Sequence, residues 1–311
     1  MLFEELLNKK YGELIIEFDK LHELIVKNQT HDSDLLLAHL NAFYNPDVHN
    51  WDNTEQKMSP YMFGLNHEGH SENTHHSFIG QYIKHNTSSE TLENHLKNIV
   101  YSEEKRKEID QINFDEAISI QTEMLIYLKI WESDTFIKKF FQLANLSLGF
   151  SYDWHYKLQT TSREKGATGT RDVIIRTKIR DRFKQSIPRL YDAFKNTYNF
   201  QIRNSIAHSQ YSILGRSILL NNYVKNDPYS QLRKQSFEEW TERFHETLVL
   251  YTLYHKLLDV INDNYGIVAS QMENSLPIRI SRKDPKEEIE YRIMNIPTKV
   301  HHGFRTKVHQ I

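Results

Sequence analysis

The sequence predicts a mainly α protein, an antiparallel helical bundle with an additional N-terminal helical region and a small β-hairpin insert. Three observations carry this expectation. Only 10 Gly and 7 Pro occur in 311 residues, too little turn material for a sandwich or barrel of many strands. Long runs rich in Leu, Ile, Lys and Glu favour helices. Apolar residues also recur at helical spacing over several long segments. Apolar content is only 39%, but 17 Tyr and 16 Phe supply large units of buried area, enough for a real core.

From Leu2 to about Lys27, the residues Leu6, Ile15, Phe18, Leu21, Leu24 and Ile25 mark one amphipathic helix. A short second helix follows, capped by Thr30 or Asp32 and burying Leu35, Leu36, Leu37 and Leu40. Residues 45–77 turn polar and rich in Asn, Asp, Gly and His, which reads as a long loop. Helices resume near Phe78 and again over 88–101, where "SSETLENHL" offers a serine cap with Glu in the first turn. The charged stretch "SEEKRKEIDQ" (102–111) reads as a solvated connector. It divides an N-terminal helical region, 1–110, from a bundle, 111–271.

Phe114 to Trp131 and Phe136 to Phe150 are the strongest apolar periodic segments and are expected as core helices, broken at "WESD" (131–134). "TTSREKGATGTR" (160–171) reads as a flexible hairpin-like link, followed by a basic helix from about Asp172 to Ser186. Pro188 starts another helix, to about Tyr198, with Leu190, Tyr191 and Phe194 on its apolar side. "YSILGRSILLNNYV" alternates around Gly215 as a hairpin does. Ser236 and Glu239 form a capping box ahead of a long helix, to about Asn264, that buries Phe237, Trp240, Phe244, Leu248 and Tyr251. The basic extension 272–311 contains two possible strands, "PIRIS" and "IEYRIM".

A formal net charge of −2 gives no global field toward nucleic acid, so any such contact needs a local patch. With no cysteine, disulfides, thiol catalysis and thiolate metal sites are excluded. The first residues lack a signal-peptide core, and no window reaches the roughly 18 apolar residues of a membrane span. The expectation is a cytoplasmic protein without membrane contact.

One stretch carries chemistry. In "QIRNSIAHSQY" (201–211), Asn204 and His208 stand at i and i+4 and share a helical face. Arg203 and His208 stand at i and i+5, about 140° apart on an ideal helix, so they converge only through Arg reach, irregular winding or a second subunit. Chemically the three residues suit RNA cleavage. A histidine passes protons to or from a 2′-OH or a leaving 5′-oxygen, Arg offers a charged fork to the phosphorane, and Asn offers an amide donor. The spacing by itself is weak, because 15 Arg and 17 His give about 0.8 such pairs by chance.

"RNSIAH" resembles the Arg-x4-6-His signature of the HEPN superfamily, with Arg203 and His208 at the paired positions and Asn204 at the polar one. The resemblance spans about Phe114 to Ile267. It implies a HEPN-like helical bundle and a metal-independent endoribonuclease without a cofactor. It also implies a homodimer in which two signatures face each other to form a composite active site. HEPN nucleases of this kind often serve in antiviral defence, abortive infection or toxin–antitoxin systems, which makes an antitoxin or activating partner an expectation.

Other candidates carry less. Arg176, Arg180 and Lys184 fall at i, i+4 and i+8 and offer a basic stripe for an RNA backbone, though a solvated helix face explains them equally well. Tyr211 either faces the same groove or packs. In "NHEGHSENTHH", His67, His70, His75 and His76 with Glu68 or Glu72 contain possible zinc ligands. "HEGH", however, is one residue short of H-E-x-x-H, and a polar His-rich loop is favoured. Glu123, Glu132 and Asp134 are candidate acids to orient His208 or Arg203. The leading expectation is an endoribonuclease that forms a 2′,3′-cyclic phosphate. The alternatives are a non-catalytic HEPN-like dimer that binds RNA or protein, and a metal-dependent hydrolase centred on the His-rich loop.

Overall fold

The computed structural model describes residues 3–40, 68–87, 106–159, 161, 166–281 and 289–295. The chain is mainly helical, with nine helices among the described residues when the mixed winding over 171–186 is taken as one. They are α1 (Phe3–Asn28), α2 (Asp34–Leu40), α3 (Glu68–Asn86), α4 (Arg106–Trp131), α5 (Asp134–Ser147), α6 (171–186), α7 (Pro188–Thr197), α8 (Phe200–Ala207) and α9 (Phe237–Ser270). Strands β1 (Tyr211–Leu214), β2 (Ser217–Leu220) and β3 (Lys234–Ser236) make a small antiparallel sheet, and β4 (Ser275–Ser281) pairs antiparallel with β5 (Ile289–Asn295).

The bundle's centre is aromatic. Trp131 at the end of α4 meets Phe136 of α5 at 5.8 Å between ring centroids, Phe136 meets Phe140 at 5.1 Å, and Phe140 meets Phe194 of α7 at 4.9 Å and Tyr254 of α9 at 5.3 Å. The first three are edge-to-face and the Phe140–Tyr254 pair is stacked; aromatic pairs of these kinds stabilise beyond their buried area by about 0.5–1.5 kcal/mol each. Helix α5 is the innermost element, buried from Thr135 through Ser147. Ser133 starts it, its Oγ accepting from the Phe136 N–H at 3.3 Å. Leu7, Leu14, Phe18, Leu21 and Ile25 of α1 enter the same core as α4, α5, α7 and α9, so the boundary near residue 110 does not separate two cores.

Several local expectations are corrected. The polar stretch 45–77 is not a loop throughout, because α3 begins at Glu68. Tertiary anchors outweigh its composition: Glu72 accepts from Lys139 at 2.8 Å and from the Tyr254 hydroxyl at 2.7 Å, and Ile79 is buried. Similarly, α4 starts at Arg106, inside the stretch read as a connector. Helix α9 runs to Ser270, beyond Asn264. The hairpin around Gly215, which has φ of 55°, gains a third strand because β3 pairs with β2. The helix expected over 88–101 lies outside the described residues, as do 41–67 and the link residues 160 and 162–165.

Candidate functional site

Helix α8 is short, and its position is set by its flanks. Asn199 caps it, Oδ1 accepting from the Ile202 N–H at 2.9 Å. The buried Tyr127 hydroxyl joins α4 to this corner, donating to the Thr197 carbonyl at 2.9 Å and accepting from the Asn199 N–H at 3.2 Å. Gln201, 1% exposed, faces the other way and holds the segment after β2. Its Nε2 donates to the Leu232 carbonyl at 2.7 Å and to Asn222 Oδ1 at 3.3 Å, and its Oε1 accepts from the Leu232 N–H at 2.9 Å.

On this rigid corner Arg203 is half-buried and tied twice. Its Nη1 donates to Asn204 Oδ1 at 2.6 Å, and its Nε forms an ion pair with Glu132 Oε1. The other oxygen of Glu132 accepts from Arg171 Nη1 at 2.6 Å, while Arg171 Nη2 donates to Asp134 at 2.6 Å. Glu132 thus bridges two guanidinium groups at the α4–α5 break. Of the three acids the sequence offered, Glu132 touches Arg203 and Asp134 reaches it only through Arg171. Glu123 lies elsewhere, accepting from Trp240 Nε1 at 2.7 Å and from the Tyr82 hydroxyl at 3.4 Å.

His208 does not lie on the face of a continuing helix. It is the C-cap of α8, with φ −107° and ψ 11°, and its side chain is exposed. The chain then reverses. The Gln210 N–H bonds the Ser205 carbonyl at 2.7 Å and the Ser209 N–H bonds the Ile206 carbonyl at 3.2 Å, the paired bonds of a Schellman turn. Ser209 occupies the left-handed position of that turn with φ of 53°. Arg203 and Asn204 are therefore brought together, whereas His208 projects from the helix end with no side-chain hydrogen bond to the described residues.

The basic stripe is not formed as spaced. Helix α6 opens with an α turn, Arg171–Val173, widens into a π-wound run, Ile174–Ile179, tightens over Arg180–Arg182 and closes with Phe183–Ser186. Across the wide turn, the i, i+4 and i+8 alignment of Arg176, Arg180 and Lys184 does not hold. Arg176 is paired with Asp172, with contacts of 2.5 and 2.9 Å, and Arg180 with Asp181 at 2.7 Å; Lys184 is exposed. Tyr211 lies in β1 opposite Leu220 and packs on the core edge.

Burial keeps the Tyr198 hydroxyl protonated well above the ordinary range; Asp172 adds to this, and Arg203 and Arg171 oppose it. Tyr198 therefore lies within electrostatic reach of both the Arg203 cluster and the Arg176–Asp172 pair. In the His-rich stretch, His67 is outside the described residues. Glu72 is engaged by Lys139 and Tyr254, and His76 stacks on His255 at 3.9 Å. Among the described residues no group of three metal-ligating side chains is assembled, and no helix is long and apolar enough to cross a membrane.

No family model matches the chain, and neither a curated protein nor a solved structure matches it. Sequence reasoning missed Arg171, Tyr198 and Gln201. Arg171 lay within a run of cations with nothing local to single it out. Gln201 stood two residues before the motif, where a buried amide reads as an ordinary helix residue.

Proposed function

We propose that the protein is a metal-independent endoribonuclease of the HEPN type, acting through Arg203, Asn204 and His208. The observation that carries the reading is the arrangement at α8. Arg203 is oriented by Glu132 and Asn204 with its Nη2 unbonded to the described residues, while His208 stands exposed at the end of the same helix. On this reading a phosphate binds at the open edge of Arg203, and His208 reaches it from the end of the same helix or from that of a second copy.

In the reaction, the ribose O2′ attacks the adjacent phosphorus and the P–O5′ bond breaks. One histidine takes the O2′ proton, and an acid returns a proton to O5′. Arg203 stabilises charge on the phosphorane, and Asn204 holds Arg203 and the phosphate in register. The products are a 2′,3′-cyclic phosphate and a 5′-hydroxyl. Because one chain presents a single His208 here, a homodimer that pairs two such helix ends supplies both base and acid. Single-stranded RNA is the substrate class, and a neutralising or activating partner in an antiviral or toxin–antitoxin setting follows from the hazard of uncontrolled cleavage.

The test is cleavage of single-stranded RNA with chelator present, read by product ends. Arg203→Ala and His208→Ala are each expected to reduce the rate by about 10²-fold or more, with unchanged far-UV circular dichroism. Cleavage that survives both changes, or that chelator abolishes, overturns the reading. Tight RNA binding by the parent protein without cleavage assigns the non-catalytic alternative.

A further inference from the structure

We propose that Tyr229, backed by Arg176, is a stacking platform for a nucleobase of the RNA whose phosphate sits at Arg203. The proposal rests on the ribonuclease reading for its ligand.

Tyr229 is 58% exposed, yet it is held. The Arg176 guanidinium lies over its ring at 4.4 Å from the centroid. That guanidinium is itself fixed: Nε meets both Asp172 oxygens at 2.9 Å and Nη2 meets one at 2.5 Å. One face of the ring is thus covered by a planar cation and the rest stands toward solvent. A mobile surface tyrosine would lose conformational freedom on binding, and this one has lost much of it already.

The backbone below the ring is equally constrained. The Tyr229 N–H bonds Asp227 Oδ1 at 3.0 Å, the Ser230 hydroxyl bonds Asp227 Oδ2 at 2.7 Å, and the Val224 N–H bonds the Ser230 carbonyl at 3.0 Å. The same segment carries a second stack, Arg233 over Tyr223 at 4.4 Å. Both are attached to α8 through Gln201, two residues before Arg203.

The platform and the Arg203 cluster also share a support on α6. Arg171 bonds Glu132, which holds Arg203, and the next residue, Asp172, fixes Arg176 beneath Tyr229. Two consecutive residues therefore set both features. Since Asp172 neutralises Arg176, Tyr229 offers stacking rather than net charge, which suits a nucleobase better than an acidic peptide. Every base has a π-face, so this contact tolerates sequence and selects for unpaired nucleotides.

The test uses the parent protein and a single-stranded RNA whose riboses are 2′-O-methylated, so that no nucleophile is present, with one fluorescent adenine analogue. Stacking quenches the analogue. Tyr229→Phe is expected to keep affinity and quenching, whereas Tyr229→Ala loses the quench and binds about tenfold more weakly. Parent-like quenching and affinity in Tyr229→Ala, or no RNA binding by the parent, overturns the platform. The two readings fail separately. Cleavage that depends on Arg203 while Tyr229→Ala behaves as parent removes the platform alone. Tyr229-dependent quenching in a protein that cuts no RNA removes the nuclease alone.

Discussion

Arg203 and Glu132 form an ion pair that links α8 to the α4–α5 break, and the same carboxylate holds Arg171 at 2.6 Å. Both partners are partly open to solvent, with side-chain exposures of 18% for Arg203 and 34% for Glu132, so the pair contributes no more than about 1 kcal/mol to stability. Its effect lies in orientation. Glu132→Gln keeps the shape and removes the charge shared by two arginines, which makes the surface more attractive to phosphate while freeing Arg203 to swing. RNA affinity is expected to hold or improve, while kcat falls at least about tenfold. Single-turnover rates over a range of protein concentration separate the two effects, and a loss confined to affinity rules out positioning.

Glu123 gives the fold a pH dependence. Burial pushes its carboxyl up to about 7 and Glu116 adds to the shift, while the bonds from Trp240 and Tyr82 partly oppose it. A carboxyl with a folded pKa above its unfolded value costs nothing at low pH, where both states are protonated. As pH rises from about 4.5 to about 7 the unfolded chain releases the proton first, and stability falls by on the order of 3 kcal/mol before levelling. Glu123→Gln still accepts from Trp240 and does not titrate. Guanidinium unfolding at pH 5 and pH 8 is expected to show a larger loss for the parent than for the variant. Equal losses would mean that Glu123 stays ionised in the fold.

The parts of this structure legible in the sequence are those encoded locally. The Ser236–Glu239 capping box starts α9, with bonds of 2.8 and 3.1 Å in both directions, and Pro188 begins α7. Gly215 turns the hairpin between β1 and β2. The start of α3 was hidden because the partners of Glu72 are 67 and 182 residues away. The basic stripe failed because periodicity assumes a constant pitch, and α6 changes pitch within Ile174–Ile179. For the site, the residue types of α8 suggested a chemistry and three acids as supports. Selecting Glu132 over Glu123 and Asp134 required the packing of α4 against α8, which no local pattern specifies.

Gln201 ties the segment carrying Tyr229 to α8. Its side chain makes three bonds in a site only 1% exposed. Gln201→Ala removes all three and leaves the Leu232 N–H and carbonyl without these partners. A loss of about 2–3 kcal/mol in global stability is expected, concentrated locally. Limited proteolysis should open the chain between Asn222 and Leu232 well before other segments. Protease resistance equal to the parent would show that the third β-strand, not Gln201, holds the segment.

Ser209 follows His208 in a left-handed conformation, φ 53°, where glycine is the favoured residue of a Schellman turn. A side chain there costs roughly 1–2 kcal/mol, less for a small polar residue than for a branched one. The turn itself is fixed by backbone bonds from Gln210 to Ser205 and from Ser209 to Ile206 at 2.7 and 3.2 Å, and the Ser205 hydroxyl adds a bond to the Gln210 carbonyl at 2.9 Å. None of these requires the Ser209 side chain. Ser209→Gly is therefore expected to raise stability by up to about 1 kcal/mol, a few degrees in Tm, and Ser209→Val to lower it by more than that. The opposite signs test the conformation directly, because an ordinary right-handed residue at this position would make the glycine variant the less stable of the two.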